Sequence, residues 1–314
     1  MGSSICRNPA ASAVVALLAA TGAAQAADAP ALRGAPRGGA GEWHPFVSVT
    51  PIYQGNAGLD RSGDFSVTGV VMRGGVSYDF GGGSRAGISL NYDHFDYSFS
   101  TPESLGIRPP WGVVERYGVT IPLAFNIGDG WILGAAPSFD WFKENGANTN
   151  DALSWGATVS GTKRFKDGNR LGLGVGAFAG IEKTTVFPFL IVDWRLSDRW
   201  RVVNPLPSGP TGPAGLELDY RFDGGWTAGV GAAWRVLRFR LSGTGPTPGG
   251  IGQERGVPVF LRVSRNFTDQ LALHLYGGVV VAGQLRLENA SGGRLREENF
   301  DPAPLFGATF IGRF

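Results

Sequence analysis

Long segments of alternating hydrophobicity, connections that alternate between tight turns and long loops, and a last strand that runs to the final residue predict an all-β chain. The fold class that joins these observations is a transmembrane, antiparallel, up-and-down β-barrel of about fourteen strands, with twelve as the alternative. Composition agrees: 50 of the 314 residues are Gly, aromatics are frequent, and only 17% are charged. That balance favours strands and turns over surface helices.

The first segment of the chain reads as a processing signal. Arg7 supplies a weak basic start, residues 12–24 (SAVVALLAATGAA) an apolar core, and Ala24-Gln25-Ala26 a small-residue cleavage site, so residues 1–26 are expected to be removed after Ala26. The apolar run is too short and too rich in Ala for a membrane anchor. Cys6, the single cysteine, falls in this leader and lacks a lipoprotein setting, so neither a disulfide nor a lipid anchor is expected. Residues 27–43 are rich in Ala, Gly, Pro and Arg and read as a flexible periplasmic lead-in; residues 44–314 form the barrel domain. A formal net charge of +2 offers no nucleic-acid footprint.

Alternating segments fall near 46–54, 65–80, 85–98, 113–127, 131–143, 152–166, 170–182, 185–196, 199–206, 214–222, 226–241, 256–267, 271–287 and 303–314. Short turns follow every second segment: GGGS (81–84), GDG (128–130), KDGN (166–169), SDR (197–199), DGG (223–225) and TDQ (268–270). The connections between are mostly longer, among them PLPSGPTGPAG (205–215), SGTGPTPGGIGQERG (242–256) and ENASGGRLREENFD (288–301). Segregation of loop lengths to opposite ends is what a membrane barrel shows, with the turns facing the periplasm, and an even strand count puts both termini at the turn end.

Segment length points the same way. Trp131, Leu133, Ala135, Pro137, Phe139 and Trp141 share one face of a strand long enough to cross a bilayer, which puts a Trp at each interface. Trp155, Trp226 and Trp234 are expected in the same aromatic girdle. Pro137 removes a ladder donor, so a bulge is expected there. Further apolar faces are Val119, Ile121, Leu123, Phe125 and Ile127, and Leu171, Leu173, Val175, Ala177 and Ile181; the faces opposite are small or polar. Gly172, Gly174 and Gly176 alternate inside a strand and are expected to thin the wall.

Charges inside the wall mark the lumen, because Arg or Lys facing lipid at the midplane costs about 2–4 kcal/mol. Asp193, Arg195, Glu217, Asp219, Arg221, Arg235, Arg238, Arg240 and Arg262 are therefore the lumenal candidates. Arg235 and Arg238 have opposite parity, which requires a bulge near Val236 or an end-of-strand position for Arg238 and Arg240. Two readings stand side by side: a charged constriction that selects solutes by sign, and internal salt bridges that fill the lumen. Arg at the loop end would also suit lipopolysaccharide phosphates. Neither clustered His nor Cys at ligand spacing indicates a metal, and no cofactor is implied.

Phe306, Phe310 and Phe314 lie on one face of the last strand, and the chain ends on the aromatic. This ending resembles that of Gram-negative outer-membrane β-barrels, whose last strand closes against the first and whose terminal aromatic is read by the barrel insertion machinery. The pattern as a whole resembles the porin-like superfamily of such barrels. Residues 187–202 (FPFLIVDWRLSDRWRV), followed by Glu217-Leu218-Asp219-Tyr220 and Phe314, look like an uncharacterised outer-membrane β-barrel family of unknown function, which imports no site residue. The resemblance implies residence in the outer membrane among lipid and lipopolysaccharide, and passive or selective passage of small solutes. Two alternatives are kept: a closed-lumen structural or surface-binding barrel acting through its loops, and a lipid-modifying enzyme using His94, which sits in YDHFDYS (92–98). A non-enzymatic role is the leading expectation.

Overall fold

The computed structural model describes residues 41–100, 105, 106 and 108–314; the predicted leader and nearly all of the lead-in lie outside them. Seventeen strand segments form one sheet closed on itself. They are β1 Trp43–Gly58, β2 Asp64–Gly81, β3 Ser84–Ser100, β4 Val113–Thr120, β5 Leu123–Gly128, β6 Trp131–Glu144, β7 Leu153–Arg164, β8 Arg170–Gly180, β9 Lys183–Arg195, β10 Trp200–Val203, β11 Gly215–Arg221, β12 Trp226–Ala233, β13 Arg235–Arg240, β14 Ile251–Asn266, β15 Leu271–Glu288, β16 Arg294–Phe300 and β17 Ala303–Arg313.

β4 and β5 both lie between β3 and β6, β12 and β13 both pair with β14, and β16 and β17 both pair with β15. Each pair continues one stave, which gives a ring of fourteen antiparallel staves. β17 closes the ring against β1, from Phe46↔Arg313 to Gln54↔Leu305, as the terminal strand of a barrel should. The turns predicted at 81–84, 128–130, 166–169, 197–199, 223–225 and 268–270 all join neighbouring staves at the end where β1 begins and β17 ends.

Several boundaries differ from expectation for physical reasons. Pro137 pairs through without a register shift, Pro137↔Ala157. The neighbouring stave breaks instead: at Ile121-Pro122 between β4 and β5, where Ile121 N–H donates to Pro137 O at 2.9 Å. Two prolines face each other across one seam, so a single interruption accommodates both missing donors. β16 lies inside the connection predicted as loop 288–301, and β14 begins at Ile251 inside the predicted loop 242–256. Arg294, Arg296 and Glu297 take strand positions there, with Glu297 paired to Arg286 and Arg294, so the apolar alternation that reveals a membrane strand is missing. Ile181 does not continue the outer face of β8. It takes φ +45° in the β8–β9 turn and is buried.

The alternation runs apolar-out and polar-in, the reverse of a soluble barrel. Leu173 is 68% exposed, with Leu261 at 64% and Val186 at 63%, whereas Thr50, Asn91, Ser138, Thr158, Glu217 and Thr309 on the inner face are buried. Phe306, Phe310 and Phe314 project outward at the closing stave. Trp131 and Trp226 sit outward beside the turns, with Lys163 Nζ 5.4 Å and the Arg265 guanidinium 5.0 Å from their ring centroids. Cations over interfacial rings fit headgroup depth. Trp155 is outward in the loop half, Trp141 shares its outward face half-buried, and Trp234 is half-buried at the β12–β13 break.

This solvent assignment is testable. Leu173→Arg places a guanidinium on the lipid face and is expected to cost about 2–4 kcal/mol, read by urea unfolding in phospholipid vesicles. Gly176 makes a second prediction. A Cβ on Gly176 would overlap the Phe187 ring, and one on Gly174 the Phe189 ring, so the glycines do thin the wall to seat two inward phenylalanines. Gly176→Val is expected to cost about 1–3 kcal/mol by overpacking, measured the same way, and Gly176→Val with Phe187→Ala should recover part of it.

Candidate solute path through the lumen

At mid-depth a polar belt lines most of the wall. Arg73 on β2 pairs with Asp93 on β3; Arg116 on β4 reaches Asp93 at 3.3 Å and Asp140 on β6 at 2.8 Å. On the opposite wall Arg262 of β14 bonds Glu217 of β11 through Nε at 2.6 Å and grips both oxygens of Asp219, at 2.8 and 2.9 Å. The same guanidinium bonds Ser264 and donates to His274 Nδ1 at 3.1 Å. The belt is completed across the closing seam by Thr309, whose hydroxyl lies 2.8 Å from that of Thr50 and donates to it, since Thr50 spends its own proton on a carbonyl above. These ladders arise because a two-residue period places charged residues of adjacent strands on one face.

Above this belt the residues of the 204–214 loop, which joins β10 to β11, turn into the lumen. Thr50 Oγ1 donates to Ser208 O at 2.6 Å, Arg235 Nη1 donates to Pro210 O at 3.2 Å, and Pro210 stacks beside Gly307 of β17. Arg235 belongs to β13, which continues the stave beside β11, whereas Thr50 and Gly307 belong to β1 and β17, so the loop leaves its own hairpin and reaches through the lumen to the closing seam. Arg235 is itself held by Gln54 and by Glu254 at 2.8 Å, and Tyr97 donates to the other Glu254 oxygen at 2.7 Å.

The loop end of the lumen is closed by an apolar cluster. Phe65, Trp111, Phe142, Phe239 and Leu285 are at most 2% exposed. Trp111 meets Phe239 edge-on at 5.4 Å, and Phe300 meets Phe65 edge-on at 4.9 Å. β13 carries Phe239 inward and touches β6 by a single parallel bridge, Arg240↔Lys143. The barrel is thus polar at its waist, crossed by a Pro/Gly loop above it, and sealed by aromatics at the mouth.

The predicted lumenal residues divide accordingly. Glu217, Asp219, Arg235 and Arg262 lie in the lumen and are ion-paired. Asp193 bonds Arg201 at 2.5 Å near the turns, where Arg195 and Arg221 are exposed. Arg238 and Arg240 are not lumenal. With no register shift in β13, their parity puts them on its other face, where they hold the outer loops. Arg238 bonds Ile181 O and Glu288, and Arg240 bonds Glu182 and the carbonyls of Asp151, Gly249 and Ala290. The end-of-strand alternative therefore holds, and no bulge forms near Val236. His94 faces outward. Its Nδ1 lies 3.4 Å from Glu115, whose carboxylate also accepts from Tyr92 at 3.1 Å and Tyr117 at 2.9 Å, an interfacial polar knot on the membrane side.

Sequence reasoning missed Arg73, Asp93, Arg116 and Asp140, although each sits at inward parity among apolar outward neighbours, and it missed that the 205–215 connection enters the barrel. The signal for the latter was weak: a Pro- and Gly-rich loop is read as outward by default.

No family model and no curated protein matches the chain, so the closer resemblance of residues 187–202 gains no support. Among solved structures, an outer membrane channel from Pseudomonas putida F1 matches at 12% identity and TM-score 0.45, covering 90% of this chain and 97% of that one. The toluene transporter TodX of Pseudomonas putida matches at 8% identity and TM-score 0.44, covering 88% and 90%. The translocator domain of autotransporter NalP from Neisseria meningitidis matches at 11% identity and TM-score 0.37, covering 87% and 89%.

Proposed function

We propose that this barrel is an outer-membrane channel for small solutes and that the inward 204–214 loop controls passage. The observation that carries the reading is the way the loop is held. It crosses a polar lumen yet joins no strand, and its far end is tied to β1 and β13 by the single hydrogen bonds of Thr50 and Arg235. Individual hydrogen bonds of this kind contribute about 0.5–1.5 kcal/mol each, so a plug seated by them can leave on a fast timescale while the paired wall stays intact. Arg235 then acts as a latch rather than a filter. Sign selectivity falls to the exposed Arg195 and Arg221 at the turn end and to whatever charge the Arg262 cluster leaves unbalanced.

The aromatic seal favours the second reading, a closed-lumen barrel acting through its loops. Osmotic swelling of proteoliposomes separates the two. The channel reading predicts uptake of small sugars by the parent chain and faster uptake by Arg235→Ala, which frees the loop. Folded barrels that admit no sugar in either form would contradict it and leave the closed-lumen reading.

A further inference from the structure

The wall carries a seam that the ring as a whole does not need. β10 stops at Val203 and pairs with β9 only at Arg195, Trp194 and Asp193. Above that, Asn204 alone serves β9: it exchanges bonds with the Val192 backbone and donates to Leu190 O at 3.0 Å. On the other side β11 ends its pairing at Gly215↔Ala233, so β13 has no strand partner on the edge away from β14 except the bridge at Arg240. Among the described residues, the upper edge of β9 and the edge of β13 thus share no backbone pairing. They are tied at the top, where Arg238 reaches Ile181 O and Arg240 reaches Glu182, and beneath, where the Asn204 amide bridges Leu190 O and Gly215 O.

An unpaired strand edge inside a membrane wall is costly, because hydrocarbon offers the backbone no partner. Barrels ordinarily remove such edges by closure. Here the open edge stands beside Val186, which faces outward at 63% exposure. Val186 pairs with Ala177 of β8, which lies between the lipid-facing Leu173 and Ala179, the partner of the outward Trp155, so the open part of the seam lies at the depth of the hydrocarbon on the loop side.

The inner side of the same sector breaks the polar belt. Phe178, Phe187 and Phe189 point inward there, and Phe187 is fully buried. Ala214, the last residue of the inward loop, packs against them. The loop therefore covers the seam from within, and its departure would uncover an apolar lining that leads sideways from the lumen to the lipid.

We propose that this seam, between the upper edge of β9 and β13, is a lateral portal through which small, uncharged apolar molecules pass between the lumen and the hydrocarbon of the outer leaflet. The portal presumes the solute-accessible lumen of the proposed function and adds where an apolar solute leaves it. The mouth is sealed, and the rest of the mid-depth wall is polar and strand-paired, so the aromatic sector offers such a solute its one apolar way through.

The test places a benzophenone side chain at Phe189 in the full-length chain, reconstituted in dioleoylphosphatidylcholine vesicles and irradiated. A lipid-adduct yield several-fold above that of the same label at Thr158, an inward residue of the fully paired β7, and close to that at outward Leu190, is expected. Naphthalene, used as the apolar probe, should lower the adduct at Phe189 and leave Leu190 unchanged. If the Phe189 variant does not refold, Phe178 in the same cluster carries the label. A yield at both aromatic positions no higher than at Thr158 would overturn the portal, and insensitivity to naphthalene would overturn the assignment to apolar solutes. The readout needs no solute uptake, so failure of the channel reading and failure of the portal are separable.

Discussion

Replacing Leu206–Gly212 by a short Gly-Ser link is expected to lengthen the open periods of the barrel, leaving the aromatic cluster at the mouth as the one remaining barrier. The excised residues contain Ser208 and Pro210, which carry the bonds to Thr50 and Arg235. None of them belongs to a strand, so the closed ring and its lipid face are left intact. Single-channel recording in a planar bilayer reads the change as a longer open time and a larger mean current. The loss should be confined to closures, because the Arg73–Asp93–Arg116–Asp140 ladder and the Arg262 cluster, which set the waist, are untouched. A shortened variant with the parent's closures would move the gate from the loop to the aromatic seal.

The second large effect is on stability. Arg262→Ala removes the one cation shared by Glu217 and Asp219, whose side chains are 0% and 15% exposed. Breaking a buried pair from one side leaves uncompensated charge and typically costs about 3–5 kcal/mol. The lumenal position of Asp219 admits some water, which puts the expectation at the low end of that range. Most of the loss should be regained on removing the stranded charges too, in Arg262→Met with Glu217→Gln and Asp219→Asn, since a neutral set no longer has to be desolvated as ions. Urea unfolding in phospholipid vesicles measures both variants. Equal losses in the single and triple variants would show that the guanidinium works by packing and by its bonds to Ser264 and His274 rather than by charge.

Much of the barrel was legible because a two-residue period and turn chemistry are local properties. The stretch 131–143 displayed its lipid face outright, and GDG and DGG marked turns in which Asp129, Gly130, Gly224 and Gly225 adopt positive φ. What was hidden depends on who faces whom. β16 carries Arg294, Arg296 and Glu297 and resembles a loop in sequence; it is a strand only because β15 continues beside it above the membrane. Arg238 looked lumenal because charge in a strand usually is, and it lies elsewhere because its partners Ile181 and Glu288 are far away in sequence. Of the site, Glu217, Asp219, Arg235 and Arg262 were visible as buried charges. Their pairing, and the inward course of residues 204–214, required the closed ring.

A loop that occupies the lumen and controls passage should hold the barrel shut when it is tethered in place. Thr50→Cys and Ser208→Cys, introduced with Cys6→Ser and joined by a short cleavable bis-thiol reagent, test it in a planar bilayer. Crosslinked barrels should stay closed, and cleavage of the linker should restore opening in the same membrane. Current that flows equally before and after cleavage would contradict it.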